Sequence, residues 1–408
     1  MDSGAGMYVC VLSGYGHPIL ENLHMKLFVL TAVLLGHFFV IGGCNSEETK
    51  AIRQVESEKY LKWVSGGVFK GFNITYYNDD VGKKSLQDFL DIKALGANVV
   101  QIQTSDGYRR PTPPYDLDPL AMMAYIDMVD WSRQAGLSYI IAVRAGPGRY
   151  SVEYEADDII WTDDDAQNQY AKMLTEIVSM YKDDPLFVGI NVMVEPNPLH
   201  RAITSGQINT PQELERALKE AGIAPNALMT KFIQAVRSVS ADLPVIVQGV
   251  KWSDAQWWDL VEKQSDPYVI YDVHSYTPYD YSHALPGSGL TYPGVYYPDL
   301  PGSEVVYDKS YLSSVVFEKV KAFQRKHNVP VMLGEFGLAH EQVGGVQYLS
   351  DMQEIAVENG WHYNLWAFRP RANPEIKDFN YEYWNSEYWE EISGWFGEPP
   401  KRISIPSL

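Results

Sequence analysis

Two glutamates follow directly on apolar, β-branched segments of the chain. Glu195 ends the run "VGINVMV" at 188–194, and Glu335 follows "VPVMLG" at 329–334. Burying an ionised carboxylate is costly unless the group is paired or bonded. Two carboxyls that face each other across a groove, one protonated and one ionised, are the groups that cleave a glycosidic bond. Either glutamate alone is explained equally well by a salt bridge at a strand end. The hypothesis of glycosidic bond cleavage therefore depends on the presence of both.

Other polar and aromatic residues end the neighbouring apolar segments. Besides the two glutamates, these candidates are Asn73, Gln101, Arg144, Trp252, His274 and Trp366. If the segments are parallel strands of one barrel, their carboxyl ends meet at the face where such folds carry their active sites. We therefore expect these residues to surround Glu195 and Glu335 and to bind the substrate.

The segments that must position these residues alternate between short β-branched runs and longer amphipathic ones. The predicted strands are 68–73, 97–103, 138–144, 187–194, 244–250, 268–274, 329–334 and 362–367. The predicted helices are 84–94, 118–135, 166–181, 211–221, 227–238, 310–327 and 345–358. This alternation predicts an α/β fold, a (β/α)8 TIM barrel that forms a single catalytic domain over 60–408. A doubly wound sheet is the alternative, but the Gly-rich phosphate turn typical of it is missing after the first strand.

The composition narrows the classes of ligand. The formal net charge of −19 disfavours nucleic acid or an anionic membrane surface as partner, because both require a basic patch. The two cysteines, Cys10 and Cys44, precede residue 45, and the nine histidines show no metal-ligand spacing, so we expect neither a metal nor another cofactor. The 28 Tyr and 11 Trp suit either a large core or a groove in which rings stack on a carbohydrate.

Several motifs together resemble glycoside hydrolase family 5, the cellulase-like members of clan A glycoside hydrolases. "VMLGEFG" (331–337) resembles the strand that carries the nucleophile of the family, and "VEPNP" (194–198) resembles its acid/base motif Asn-Glu-Pro. "VHSYTPYDYSH" (273–283) is similar to its His-x-Tyr segment, and "FKGFN" (69–73), "RAGPG" (144–148) and "LWAF" (365–368) are similar to the ends of its first, third and eighth strands. The resemblance covers roughly residues 60–370 and is that of a divergent member.

The resemblance implies a retaining glycoside hydrolase that cleaves O-glycosidic bonds of a β-linked glucan or a related polysaccharide or oligosaccharide. Glu335 would be the nucleophile that forms a covalent glycosyl intermediate, and Glu195 would be the general acid/base. Tyr276 would hydrogen-bond Glu335, His274 would support the same network, and Trp366 would lie under the sugar at the cleavage point. Retention implies carboxyl groups about 5–5.5 Å apart, and proton donation implies a raised pKa for Glu195.

Three positions depart from the pattern of the family. Gln101 stands where an arginine usually ends the second strand, Arg144 where the third strand usually offers a histidine, and Val194 where an asparagine binds the sugar 2-hydroxyl. One hypothesis is that Arg144 replaces the lost strand-two cation beside Glu335 while a different sugar is bound at the 2-position. The alternative, of a different class, is a catalytically weak or inactive carbohydrate-binding surface lipoprotein on the same fold.

The N-terminal segment predicts export and lipid attachment. Residues 25–43 combine a lysine after Met25 with an apolar run of signal-peptide length, and "IGGC" at 41–44 resembles a bacterial lipobox that would lipidate Cys44. Residues 1–24 are then an extension upstream of the true start, and 44–59 is a tether. We expect a monomer of the bacterial cell envelope, attached to the outer membrane or cell surface only through its lipid, or secreted. An anchor helix cleaved elsewhere or not at all is the alternative.

Aromatic residues near the strand ends are candidate platforms for further sugars. They are Tyr76, Tyr77, Tyr108, Trp252, Trp257 and Trp258, and half of them are equally consistent with core packing. The segment 276–308, rich in Tyr, Pro and Gly, is expected to shape the groove on the active-site face. The sequence leaves open the sugar, the linkage and the choice between internal and terminal cleavage.

Overall fold

The strands predicted from the sequence close into a barrel in the computed structural model, which describes residues 57–76, 83–104, 106–150, 158–296, 304–370 and 378–397. The eight parallel strands are β1 (Lys70–Tyr76), β2 (Val99–Thr104), β3 (Ser138–Ala142), β4 (Phe187–Asn191), β5 (Val245–Gln248), β6 (Val269–His274), β9 (Val331–Glu335) and β10 (His362–Leu365). β1 pairs with both β2 and β10, which closes the ring. Between β6 and β9, β7 (Gly294–Tyr296) and β8 (Val305–Tyr307) form a separate antiparallel pair. The predicted (β/α)8 fold is confirmed.

The helices occupy the segments between the strands. They are α1 (Glu58–Val64), α2 (Leu86–Ala94), α3 (Pro119–Ala135), α4 (Asp164–Tyr181), α5 (His200–Thr204), α6 (Pro211–Ala221), α7 (Pro225–Arg237), α8 (Tyr279–Ser282), α9 (Lys309–Tyr311), α10 (Glu318–His327), α11 (Gly345–Glu358) and α12 (Ser386–Gly394). Short 3-10 turns lie at Ile159–Trp161, Ala255–Leu260 and Tyr381–Tyr383. The predicted helix 310–327 is interrupted by a π-helical turn at Leu312–Val316. The other six predicted helices are confirmed, with ends that differ by at most two residues.

Capping residues explain why the ends of a helix such as α3 can be predicted from the sequence. Asp118 precedes α3, and its carboxylate accepts the main-chain N–H groups of Leu120 and Ala121, which the first turn of a helix leaves unbonded. Gly136 ends the same helix with a φ of 64°, a left-handed conformation that glycine adopts without strain. The start and the end of α3 are therefore defined by contacts between residues close in the chain.

The barrel interior changes from apolar to polar along the strand direction. Tyr60 and Trp63 of α1 pack at one end of it against Phe69, Val99, Ile140, Val188, Ile246, Ile270 and Met332. Because side chains alternate along a strand, the residue two positions later shares the same face. On β2, β5 and β6 these residues are Gln101, Gln248 and Asp272, all buried. An unsatisfied buried polar group costs about 1–3 kcal/mol, so this second layer has to bond internally.

The targeting features predicted for the N-terminus lie outside the described residues. These are the signal peptide 25–43, the lipidation site Cys44, and the tether 44–59 up to residue 56. Their roles stay predictions. Within the described ranges, no helix combines the length and the apolar character needed to cross a membrane.

Candidate active site

Glu195 and Glu335 meet at the carboxyl ends of the barrel strands. Glu335 is the last residue of β9, Glu195 follows β4, and His274 is the last residue of β6. Each of the three brings one side-chain nitrogen or oxygen to within 4.8 Å of the other two. The side chain of Glu335 is only 3% exposed, and that of Glu195 is 16% exposed. The two carboxyl groups therefore share one nearly closed site, as the sequence predicts.

A single guanidinium bridges the two carboxylates. Arg144 lies just past β3; its Nη1 donates to Glu195 Oε2 at 2.9 Å, and its Nη2 donates to Glu335 Oε1 at 3.1 Å. Its Nε donates to Gln103 Oε1 at 3.0 Å, and its guanidinium carbon lies 5.6 Å from the ring centre of Trp366. Charge-assisted bonds from one planar group fix its position relative to both glutamates. The cation that the sequence hypothesis places beside Glu335 is thus present, and it also contacts Glu195.

His274 is the second group in contact with both glutamates. Its Nδ1 lies 3.0 Å from Glu195 Oε1 and 3.6 Å from Glu335 Oε2. Its Nε2 lies 2.8 Å from Gln248 Nε2 and 3.5 Å from Asp272 Oδ2. Burial lowers the pKa of His274, but Glu335, Asp272 and Glu195 outweigh that effect and raise it to about 10. Nδ1 therefore carries a proton, which it donates to Glu195.

Aromatic rings extend from the site toward the surface. Tyr276 Oη donates to Glu335 Oε2 at 3.3 Å, and the Tyr276 ring centre lies 5.2 Å from that of His283 and 6.1 Å from that of Phe379. Phe379 in turn lies 6.5 Å from Trp366. The ring wall, as we call this run, consists of Trp366, Phe379, Tyr276, His283 and the exposed Tyr279, which stacks on His283 at 4.0 Å. Phe379 was not predicted, because it follows the last strand in a segment without a strand-end signal.

The charges around the two glutamates shift their pKa values in opposite directions. Burial opposes ionisation of Glu195, but Arg144 and His274 outweigh it and lower its pKa to about 2. Burial raises the pKa of Glu335 to about 7; His274 and Arg144 oppose this shift, and repulsion from Glu195 adds to it. Below neutral pH the free site thus keeps one proton on the pair, as adjacent carboxyl groups do. The raised pKa predicted for Glu195 is wrong for the free protein, because two cations contact that carboxylate.

The sequence matches a known enzyme family over most of its length. The profile of the family described as "Cellulase (glycosyl hydrolase family 5)" matches residues 57–372. The chain belongs to glycosyl hydrolase family 5. Endoglucanase H of Acetivibrio thermocellus is 23% identical over 282 residues, which are 68% of this chain. The match spans only 26% of that longer protein.

Solved structures of endoglucanases share the barrel. A hyperthermophilic endo-β-1,4-glucanase solved with its substrate has a TM-score of 0.57 and 19% identity, covering 82% of this chain and 98% of its own. Endoglucanase Cel5A from Thermotoga maritima has a TM-score of 0.58 and 16% identity, covering 82% of this chain and 97% of its own. At these identities the likeness shows the fold, which agrees with the family assignment.

Two residues predicted to bind substrate lie below the family 5 site rather than in it. The side chains of Asn73 and Gln101 are fully buried. Gln101 Nε2 donates to Asn73 Oδ1 at 2.8 Å, and Asn73 Nδ2 donates to the carbonyl oxygen of Gly334 at 2.7 Å. They support β9 beside Glu335, and full burial leaves them no surface for a sugar. On β2 the site is reached instead by Gln103, which bonds Arg144 and lies two residues beyond Gln101 on the same face.

The predicted aromatic platforms have different surroundings. Trp252 is partly buried and lies edge-on to His200, with ring centres 5.7 Å apart, beside the chain that follows Glu195. Trp252 is therefore partly accessible, but its ring contact is with His200 and not with either glutamate. Tyr108, Trp257 and Trp258 are buried in the core and offer no ring to a ligand, Tyr76 is partly buried, and Tyr77 lies outside the described residues.

Glu195, His274 and Glu335 also have the spacing of a metal-ligand set, which they form among the described residues. Arg144 lies 2.9 and 3.1 Å from the same two carboxylates. Its guanidinium supplies the positive charge that a metal ion would supply, and it would repel one. The expectation of a metal-independent site stays a prediction.

The pKa shifts predict a pH-dependent contribution of Glu335 to stability. Its pKa is raised in the folded protein from an ordinary value of 4.5 to about 7. A group of this kind favours folding at acidic pH, and its contribution is lost as the pH rises between those two values. We expect Glu335→Gln to stabilise the protein by about 2–3 kcal/mol more at pH 8 than at pH 5, from 1.36 kcal/mol per pKa unit. Urea unfolding of wild type and variant at both pH values measures this difference.

Glu220→Gln is the matched control, because Glu220 is an exposed glutamate of α6. It should change the free energy of unfolding equally at both pH values. The same pH-independent change in Glu335→Gln would show that Glu335 holds no proton near neutrality.

Proposed function

We propose that the protein is a retaining, endoglucanase-like hydrolase of a β-linked glucan or a related polysaccharide. The observation that carries this proposal is the proximity of the two carboxylates, whose oxygens come within 4.8 Å. Retaining glycosidases hold their carboxyl groups about 5–5.5 Å apart, whereas inverting ones need about 6.5–9.5 Å to admit a water molecule. The short separation favours direct attack by one carboxylate.

In the proposed first step, Glu335 attacks the anomeric carbon while Glu195 protonates the leaving oxygen. A bond forms between a Glu335 oxygen and that carbon, and the leaving sugar departs with the Glu195 proton. In the second step a water molecule gives a proton to Glu195 and attacks the anomeric carbon, which releases Glu335 and the second sugar. Tyr276, 3.3 Å from Glu335, orients the nucleophile, and Trp366 offers a ring to the reacting sugar.

This cycle requires the proton of the pair on Glu195, whereas the free site holds it on Glu335. Arg144 is the strongest of the groups that lower the pKa of Glu195. A sugar that enters between the carboxylates and separates Arg144 from Glu195 would raise the pKa of Glu195. If Arg144 stays on Glu335, it favours ionisation of the nucleophile. Substrate binding would thus move the proton to the group that must donate it.

The names of the relatives and the ring wall support the substrate class. Endoglucanase H and the endo-β-1,4-glucanase are named for glucan cleavage, and Cel5A has been solved with cellobiose and with mannotriose. The ring wall runs from Trp366 to Tyr279, and rings of these types stack on the apolar faces of pyranose units. A β-1,4-glucan is therefore the first substrate to test, and a β-mannan is the second.

Substitution and trapping of Glu335 test the proposed function. On carboxymethyl cellulose, barley β-glucan and mannan, Glu335→Gln should lower kcat/KM by about 1,000-fold or more, because the covalent step is lost. A 2-deoxy-2-fluoro β-glycoside of the hydrolysed sugar should add its glycosyl mass to the peptide that contains Glu335. Initial rates and mass spectrometry of the digested protein provide the two measurements.

Glu220→Gln again provides the control and should keep wild-type rates. Substantial turnover by Glu335→Gln, or glycosylation of a different residue, contradicts the assignment of the nucleophile. Polysaccharide binding by a wild-type protein that hydrolyses none of the substrates would point to a carbohydrate-binding protein instead.

Arg144→Gln tests whether the guanidinium sets the charge balance of the site. Arg144 opposes the raised pKa of Glu335, so its loss should raise that pKa further. We expect the acidic limb of the pH profile of kcat/KM to move to higher pH by about one unit or more, with a lower maximum. The control is Arg237→Gln. Arg237 is the last residue of α7 and pairs with Asp266, so its substitution should leave the pH profile unchanged. Unchanged activity and an unchanged profile in Arg144→Gln would exclude this role.

We also propose that a lipid on Cys44 attaches the protein to the bacterial cell envelope. The support is the apolar run of 25–43 followed by "IGGC". In a bacterial host, radiolabelled palmitate should label the full-length chain and should not label Cys44→Ser. Equal labelling of both proteins, or none of the wild type, would contradict attachment at this residue.

A further inference from the structure

The main chain of Glu195 is held in an uncommon conformation. Its φ angle is +53°, in the left-handed region, where the side chain of a residue other than glycine crowds the neighbouring carbonyl. A residue keeps this conformation only where surrounding contacts over-determine it. Both peptide groups of Glu195 are bonded to buried side chains, one from β5 and one from the loop after β3.

Gln248, the last residue of β5, holds the N–H of Glu195. Its Oε1 accepts that main-chain N–H, and its Nε2 donates to Asp272 Oδ2 at 2.6 Å. The N–H requires an oxygen and the Asp272 carboxylate requires a donor, so the two partners fix the orientation of the Gln248 amide. Asp272 is fully buried and also accepts from Asn191 Nδ2 at 3.1 Å. The opposite orientation of the amide would break both of its bonds.

The same amide reaches the carboxylate of Glu195 through His274. Gln248 Nε2 lies 2.8 Å from His274 Nε2, and His274 Nδ1 lies 3.0 Å from Glu195 Oε1. Because the raised pKa of His274 leaves a proton on both ring nitrogens, its Nε2 is a donor, and Asp272 Oδ2 is the acceptor 3.5 Å away. Nδ1 keeps its proton for Glu195. One glutamine thus contacts the main chain of Glu195 directly and its carboxylate through one imidazole.

Arg149 holds the carbonyl of Glu195. Its Nη2 donates to that oxygen at 3.0 Å, and its side chain is only 1% exposed. Its Nε lies 3.7 Å from Asp158 Oδ2, and its main chain forms a tight turn with Gly146 through two hydrogen bonds of 3.0 and 2.8 Å. The guanidinium is therefore fixed by the same short loop that carries Arg144 to the carboxylates.

We propose that Gln248 and Arg149 are positioning residues that clamp the two peptide groups of Glu195 and thereby aim its carboxylate for proton transfer. This role rests on the proposed function of Glu195 as the general acid/base. Loss of either contact lets residue 195 leave the left-handed region, and the carboxylate then moves away from the leaving oxygen. A step that needs the Glu195 proton slows, and a step that does not need it is spared.

Gln248→Met tests the N–H side of the clamp, because methionine keeps the side-chain length but cannot replace either hydrogen bond. We expect kcat/KM for a β-glucan to fall by about 10–100-fold, the range that a displacement of about 1 Å produces. The value for 2,4-dinitrophenyl β-cellobioside, whose leaving group needs no proton, should change by less than about threefold. Gln264→Met is the matched control, because Gln264 is a buried glutamine that bonds Thr230 just before β6. Both of its rates should equal those of the wild type.

Arg149→Lys tests the hydrogen bond to the carbonyl oxygen of Glu195. It also tests the proposal if the Gln248→Met variant does not fold. Lysine keeps the positive charge near Asp158 but loses the planar group that reaches Glu195. The same selective loss on the β-glucan is expected. Arg237→Lys is its control, since Arg237 pairs with Asp266 and contacts none of the site residues named above.

Crystal structures of the two variants give a readout that needs no turnover. The φ angle of residue 195 should leave the left-handed region in both. Retention of the wild-type φ in both variants, or equal rate losses on the two substrates, would overturn the clamp. If the wild type hydrolyses no glycoside, the proposed function fails, while the φ angle still decides whether Gln248 and Arg149 hold Glu195.

Discussion

The contact of Arg144 with both Glu195 and Glu335 is the interaction on which the rest of the site depends. Two ionised carboxylates whose oxygens come within 4.8 Å repel each other by on the order of 3 kcal/mol at the effective dielectric constant of a protein. Arg144 bonds both of them and is itself 20% exposed, so solvent screens the three charges only in part. Arg144 and the two ionised glutamates together carry one negative charge, which a single proton would neutralise. A protonated His274 would neutralise the same charge. The protonation of either glutamate is therefore a property of the whole cluster.

The layered interior of the barrel is what allows such a cluster to be buried. Above the apolar residues, Gln248 and Asp272 form hydrogen bonds that leave the His274 imidazole in contact with both glutamates. Gly334 has a specific part in this arrangement, because a Cβ atom there would lie 2.1 Å from Asp272 Oδ1. The glycine directly before Glu335 thus makes room for the buried carboxylate that contacts His274. The polar groups inside the barrel and the two glutamates at its mouth form one continuous network.

The sequence predicts the elements of this fold better than it predicts the depth of a side chain within them. Short β-branched runs locate every barrel strand, and motifs locate Glu195, Glu335, His274 and Tyr276, because these signals depend on neighbours in the chain. Whether Gln101 or Gln103 reaches the site depends on the register of eight strands, which no short segment records. Gln248 and Asp272 were missed for the same reason, because each interrupts an apolar run without a motif of its own. Arg149 was missed because it lies in the loop after β3, one residue beyond the motif at 144–148. The low pKa of Glu195 could not be foreseen either, since it requires Arg144 to contact both carboxylates.

Val194 shows how the chain can dispense with the asparagine usual at that position. Its side chain is fully buried, and its N–H donates to the carbonyl oxygen of Val143 at 2.9 Å, so this position belongs to the barrel wall. Arg144, on the loop after β3, is a hydrogen-bond donor close to the two glutamates. A guanidinium has five N–H groups, and Arg144 uses one each on Nε, Nη1 and Nη2 for Gln103, Glu195 and Glu335. One N–H on each terminal nitrogen is thus not engaged by any of the described residues, and both lie beside the carboxylates between which the sugar would react. In the proposed reaction, Arg144 could therefore donate to a hydroxyl next to the anomeric carbon as well as balance the charge of Glu335. In that case one arginine would join recognition of the sugar to the protonation of the two carboxyl groups, which a neutral asparagine cannot do.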